Sequence, residues 1–299
     1  MDNHTIEHLN KTFGLDGCVQ FRKDNDMEKF VVTACGSKLE GYLHGAHITS
    51  YVPQQGEEIL WLSPQAIYQK GKAIRGGIPL CWPWFGKHSE NGSLPQHGFA
   101  RNSSFSMQYA KRLANGAVEL LLYLTDNEET LELWPHHFRL EVKIILGKQL
   151  SIDMITHNTG RNEFVITEAI HSYFAVPDIS NAVVNGLQNI QYYDQLQDKQ
   201  ETEVDDNITI SQEVDRIYAS QDTPITIAAQ SNLRIELLQE KANATVLWNP
   251  WIDKSCNMTD FPDDGYKNML CVEAANTFFS DIKIKSGQSH SIQQIIKLL

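Results

Sequence analysis

The sequence predicts an all-β protein, a large antiparallel β-sandwich with a few short helices. Three observations carry that expectation: closely spaced β-prone runs, alternation of apolar and polar residues within them, and a lack of long amphipathic helices between them. In residues 138–146, Phe138, Leu140, Val142, Ile144 and Leu146 alternate with Arg139, Glu141, Lys143 and Ile145. This is mostly the period of two of a half-buried strand. Residues 118–125, 150–156, 164–168, 225–228, 233–238, 245–248, 269–273 and 289–296 are further β-prone runs, separated by Gly, Asn, Asp or Pro. The best helix candidates are short, around 127–133 and 64–69. No repeat of about 20–50 residues, low-complexity tract or linker interrupts the chain. One extended domain over residues 1–299 is therefore expected.

Apolar residues make up 41% and charged residues 21%, which is a globular composition able to build a sizeable core. Against 37 Asp and Glu stand 25 Lys and Arg, a net charge of -12. Such a field repels nucleic acid and anionic membranes. It does not exclude a small anion, because charges beyond roughly 8 Å are screened and a few local arginines can dominate. The five cysteines, Cys18, Cys35, Cys81, Cys256 and Cys271, contain no CxxC pair and read as a reduced intracellular set. The opening MDNHTIEHLN shows neither a basic nor an apolar leader region, and no apolar run approaches a membrane span. A cytoplasmic protein with no membrane or nucleic-acid partner is expected.

Two loop-like segments, 74–105 and 248–268, are chemically dense, and a rigid β scaffold presents function on such segments. In IRGGIPLCWPWFG, Arg75 stands beside two glycines and three aromatics, Trp82, Trp84 and Phe85. Glycines admit close backbone approach, a guanidinium binds oxyanions in a fork, and aromatic faces cover sugar C–H surfaces. Each aromatic is equally readable as core. In PQHGFARN, Gln96 and Arg101 could face a ligand, although an isolated Arg101 reads more readily as a surface ion pair. His171, in EAIHSYF, shares a face with Ala169 and Tyr173 if the segment is a strand. Alone it reads as a structural histidine more readily than a catalytic one. Glu273 closes the apolar run MLCVE, where burial without a partner would be costly; a salt-bridged strand end is the alternative. Asp215 and Arg216 form an adjacent opposite-charge pair that by itself indicates a turn or an exposed ion pair. The segment 194–206 is a polar, acidic surface excursion. His136-His137 and His44/His47 lack a full metal-ligand set, and Walker A, GxGxxG, HExxH and GxSxG contexts are absent.

Taken together, IRGGIPLCWPWFG, PQHGFARNSSF, EAIHSYF, EVDRIY, VLWNPW and MLCVEAA resemble, in order and over about residues 28–297, the hexose-6-phosphate mutarotases of the aldose 1-epimerase superfamily. The resemblance implies a single galactose-mutarotase-like β-sandwich. It also implies an isomerase that interconverts the α and β anomers of a hexose 6-phosphate, with glucose 6-phosphate first among them. On that resemblance His171 and Glu273 are the catalytic pair, and Arg75, Gln96, Arg101 and Asp215 contact the substrate. The arginines are expected on the phosphate and Gln96 and Asp215 on hydroxyls. An ionised Glu273 would take the C1 hydroxyl proton while a protonated His171 donates to the ring oxygen, with no metal or other cofactor. A mutarotase for an unphosphorylated hexose and a non-catalytic carbohydrate-binding or sugar-sensing protein are the alternatives. The oligomeric state stays open, a monomer being compatible.

Overall fold

The computed structural model describes residues 5–220, 223–229 and 233–299; residues 1–4, part of the stretch read for a leader, lie outside them. Among the described residues the chain is built from antiparallel sheets with short helices between them. A nine-stranded sheet and an eight-stranded sheet form the two layers of the sandwich. Residues of both, including Val142, Ile292 and Ile296 from one and Leu247, Val272 and Ala274 from the other, belong to one apolar cluster. A four-stranded meander spanning Val19–Asp24, Met27–Ala34, Ser37–Tyr42 and His47–Val52 extends the same core through Phe21, Phe30, Val32 and Leu39.

Strands Phe138–Leu146, Val118–Thr125 and Ile225–Ala228 have the expected bounds. In Phe138–Leu146 every odd position of the strand is buried and every even one partly exposed, as one-sided burial of a pleated strand requires. The helix expected at 127–133 is Glu128–Leu133, started by Asn127, whose side chain accepts from Thr130 N–H while Thr130 Oγ1 accepts from Asn127 N–H. That reciprocal pair satisfies two of the donors a helix start leaves open. No helix forms at 64–69. Ser63 Oγ instead accepts from Gln65 N–H and donates to the Asp260 carbonyl, and such local bonds compete with helix nucleation in a short segment. Two helices arise where none was expected, Ile6–Phe13 and Trp251–Cys256. The acidic excursion is part of the sheet at Gln191–Asp194 and Lys199–Thr202. No helix among the described residues is long and apolar enough to cross a membrane.

Candidate active site

The site begins with the register of the central strand Met269–Asn276. Leu270, Val272 and Ala274 point into the sandwich core, while Cys271, Ala275 and, by the same alternation, Glu273 lie on the other face with Tyr173 and Trp248. Strands Glu168–Ile170 and Tyr173–Ala175 both pair with it, Ile170 opposite Ala274 and Tyr173 opposite Cys271. Carried through the two residues between them, this register sets His171 opposite Glu273. Their separation follows: His171 Nδ1 lies 3.3 Å from Glu273 Oε1. Glu273 therefore stands inside a strand rather than closing one, and at 1% exposure it is as buried as its apolar neighbours.

His171 itself leaves the ladder. Its N–H donates to the Pro79 carbonyl and the Tyr173 N–H to the Gly77 carbonyl, so the segment is held by the RGG loop. Below it Ser172 Oγ donates to Gln294 Oε1, and Gln294 Nε2 donates to the Val272 carbonyl at 3.0 Å. This buried bridge ties the site to the second sheet. The His171 ring stacks on Tyr173 with centroids 4.7 Å apart and planes at 6°, which fixes its orientation.

Two loops close over the pair. Gly77 has φ +65°, and a Cβ there would collide with the Ile48 carbonyl, so only glycine fits. His47 Nε2 donates to the Gly76 carbonyl and His44 Nε2 to the Lys72 carbonyl, each at 2.8 Å. Both histidines brace the loop that presents Arg75. Arg75 Nε lies 3.2 Å from both Asp260 carboxylate oxygens, and a terminal nitrogen donates to Tyr173 Oη at 3.3 Å. In the second loop His97 and Gly98 both have positive φ, 63° and 73°. The turn they make returns the chain so that Arg101 donates to the Gln96 carbonyl at 2.8 Å. Arg101 Nε is buried and has no hydrogen-bond partner among the described residues.

Asp215 enters from strand Val214–Ala219, on the row that runs through Trp248 to Cys271. It pairs with Lys254 Nζ at 3.5 Å and accepts from Gln195 Nε2 at 2.5 Å. Arg216 points to the other face, toward Asp194 and Glu203. The adjacent charges thus do not pair with each other, because neighbours on a strand face opposite ways.

These groups line one cavity of about 320 Å³, the size range of a small-molecule pocket. All six residues expected from the sequence border it, His171, Glu273, Arg75, Gln96, Arg101 and Asp215. Sequence reasoning missed Tyr173, Trp248, His97, Lys254 and Gln195, which also border it. His97 and Tyr173 sat inside the motifs already noted. Gln195 and Lys254 gave no local signal, since they meet Asp215 only through the fold, Lys254 from the helix Trp251–Cys256 and Gln195 from the turn after Gln191–Asp194. Of the three loop aromatics, Phe85 borders the cavity, whereas Trp82 and Trp84 belong to the core. Trp82 is fully buried, its indole N–H donating to Thr156 Oγ1.

Burial governs the electrostatics of the pair. Burial, reinforced by the positive charge of Arg101 and Arg75, holds the His171 pKa well below its usual value. Burial, with Asp215 adding to it, holds the Glu273 carboxyl well above the usual range. Both directions disfavour charge on the buried pair. His97 is pushed down to about 3 by burial and the same arginines; as a neutral ring it accepts from the Gly86 N–H.

Comparison with known proteins agrees with this architecture. A protein of Escherichia coli (strain K12) named "putative glucose-6-phosphate 1-epimerase" is 38% identical over 276 residues, covering 92% of each chain. One of Cenchrus ciliaris with the same name is 40% identical, covering 83% of this chain and 78% of that one. A crystal structure described as a "putative mutarotase" from Salmonella typhimurium superposes with a TM-score of 0.87 at 34% identity, covering 94% of this chain and 93% of that one. Residues 29–297 match the family described as aldose 1-epimerase. With that match over most of its length and a sugar-sized, acid-base-equipped pocket on a β-sandwich, the chain belongs to the aldose 1-epimerase family.

Proposed function

We propose that this enzyme interconverts the α and β anomers of a hexose 6-phosphate, glucose 6-phosphate being the first candidate, with His171 and Glu273 as its acid-base pair. The observation that carries the reading is the pair itself, two titratable groups set opposite each other at 3.3 Å in a pocket that also holds a guanidinium with no carboxylate partner among the described residues. Pure sugar binding calls for neither an acid nor a base. The names of the relatives support the phosphorylated substrate.

Ring opening moves one proton from the C1 hydroxyl to the ring oxygen, leaving an aldehyde; closure on the other face moves it back. With Glu273 as acceptor and His171 as donor, the closed-ring complex carries the ion pair and the open-chain complex carries the neutral pair. At 3.3 Å the two groups are close enough to exchange that proton before opening. Burial favours the neutral pair, so the pocket favours the open-chain intermediate, the species that water disfavours. The protein ends each cycle as it began, and the proposal needs no cofactor. Arg75, Gln96, Arg101 and Asp215 hold the substrate in this reading, joined by Lys254 at the rim. The continuous core supports treating residues 1–299 as one domain, and a phosphorylated substrate supports a cytoplasmic location.

The test is anomer exchange by NMR with His171→Asn and Glu273→Gln. Each positioned acid or base contributes roughly 10²–10⁴-fold, so each variant is expected to lose that much of kcat. Near-normal exchange in both, with folding intact, removes the assignment.

A further inference from the structure

Cys271 takes no part in the proton transfers, yet its thiol stands beside them. It precedes Glu273 by two residues on the same face of Met269–Asn276 and pairs with Tyr173, so the register that opposes His171 to Glu273 also delivers a sulfur. One donor atom from each of His171, Cys271 and Glu273 lies within 4.8 Å of the other two, and all three residues are buried. Two buried atoms of this group, His171 Nδ1 and Glu273 Oε2, have no hydrogen-bond partner among the described residues. Buried polar atoms are ordinarily satisfied, so these two stand ready for a ligand.

We propose that His171 Nδ1, Cys271 Sγ and a Glu273 carboxylate oxygen form a three-donor site for a zinc-class divalent cation, open to the sugar pocket at its fourth position, and that metal bound there blocks the reaction.

One nitrogen, one sulfur and one oxygen suit zinc, and three protein ligands with a fourth open position form a site that exchanges that ligand. The thiolate disfavours magnesium and calcium. Donors held about 2.0–2.3 Å from zinc stand roughly 3.3–3.6 Å apart in a tetrahedron. The imidazole and carboxylate are already 3.3 Å apart, and all three donor atoms lie within 4.8 Å of one another. Charge favours the complex, since a thiolate and a carboxylate cancel a dication and leave a neutral cluster where isolated charges are costly. Binding displaces the thiol proton, as metal binding to a protonated ligand does. A metal there occupies the lone pairs that proton transfer uses, so it competes with the sugar.

The test titrates the full-length protein with Co²⁺ and follows sulfur-to-cobalt absorption in the near ultraviolet, comparing wild type with Cys271→Ser and Cys271→Ala. Cys18, Cys35 and Cys256, the more accessible thiols, stay in both variants and serve as internal controls. Expected are about one equivalent bound with a thiolate band in wild type and loss of the band in both variants. Zn²⁺ should inhibit wild-type anomer exchange reversibly to a chelator and competitively with sugar. Inhibition should weaken roughly tenfold or more in the Cys271 variants, whose metal-free rates stay within about threefold of wild type. No band in wild type up to about millimolar Co²⁺, or a band undiminished in both variants, overturns the proposal. Absorption does not require turnover. A protein that binds Co²⁺ through Cys271 yet lacks epimerase activity defeats the proposed function alone; an active protein without the band defeats this inference alone.

Discussion

Removing the Arg101 guanidinium should separate phosphorylated from free sugars. Three cations border the pocket, and two are already matched: Arg75 lies 3.2 Å from both Asp260 oxygens, and Lys254 lies 3.0 Å from Glu213 and 3.5 Å from Asp215. Arg101 donates to the uncharged Gln96 carbonyl at 2.8 Å and keeps a buried Nε without a partner among the described residues. Its charge is therefore the one a phosphate would meet with least competition. Coulomb energy at 4 Å and an effective dielectric of 20 is about 4 kcal/mol per unit charge, from which desolvation of both partners subtracts. A hydrogen bond to a charged group retains about 1.5–3 kcal/mol net. Arg101→Ala should accordingly lower kcat/KM for glucose 6-phosphate by about 10- to 150-fold and leave that for free glucose within about threefold. Arg101→Lys keeps the charge but not the fork and should fall between. The assay is anomer exchange by NMR with both sugars at matched pH, beside a melting curve to verify folding. An equal loss on both sugars would refute the reasoning.

Three further outcomes follow from the same geometry. Because burial and the arginines lower His171 while burial raises Glu273, the pair should hold one shared proton across a wide range; kcat, corrected for the buffer reaction, should stay flat from about pH 6 to 8. A tenfold fall per pH unit above about 6.5, as an unperturbed imidazolium acid would give, would contradict it. A carboxyl raised in the fold gives up stability as pH rises from its unfolded value of about 4.3 through its higher folded one, so Glu273→Gln should raise the melting temperature at pH 7 while lowering kcat about 10²–10⁴-fold; a lower melting temperature would count against the raised carboxyl. Trp82→Phe, which removes a buried indole and its bond to Thr156, should cost about 1–3 kcal/mol in urea unfolding without moving KM; a changed KM with unchanged stability would return Trp82 to the ligand surface.

How far the fold could be read depended on where the period of two was undisturbed. Residues 138–146 alternate except at Ile145 and fold as read. The N-terminal meander was overlooked, although Asn25 and Asp26, both at positive φ, are the residue types of a two-residue hairpin turn. At the site, Arg75 and Arg101 stood out because their glycine-rich loops did. The pairing of His171 with Glu273 was invisible locally, since it rests on a register linking strands about a hundred residues apart in sequence. For the same reason the direction of both pKa shifts was missed: their first cause is the burial of both groups beneath two loops from elsewhere in the chain. The helix Trp251–Cys256 brings Lys254 to Asp215, a contact that no nearby residue announces.

The central claim is met most directly by comparing anomer exchange of glucose 6-phosphate with that of free glucose and galactose, using the wild-type protein, NMR and buffer controls for the uncatalysed reaction. The account predicts strong acceleration for glucose 6-phosphate, with kcat/KM exceeding that of either free sugar by about tenfold or more, the share assigned to a charged contact at Arg101. Exchange of glucose 6-phosphate no faster than in buffer, or acceleration equal for all three sugars, would contradict it.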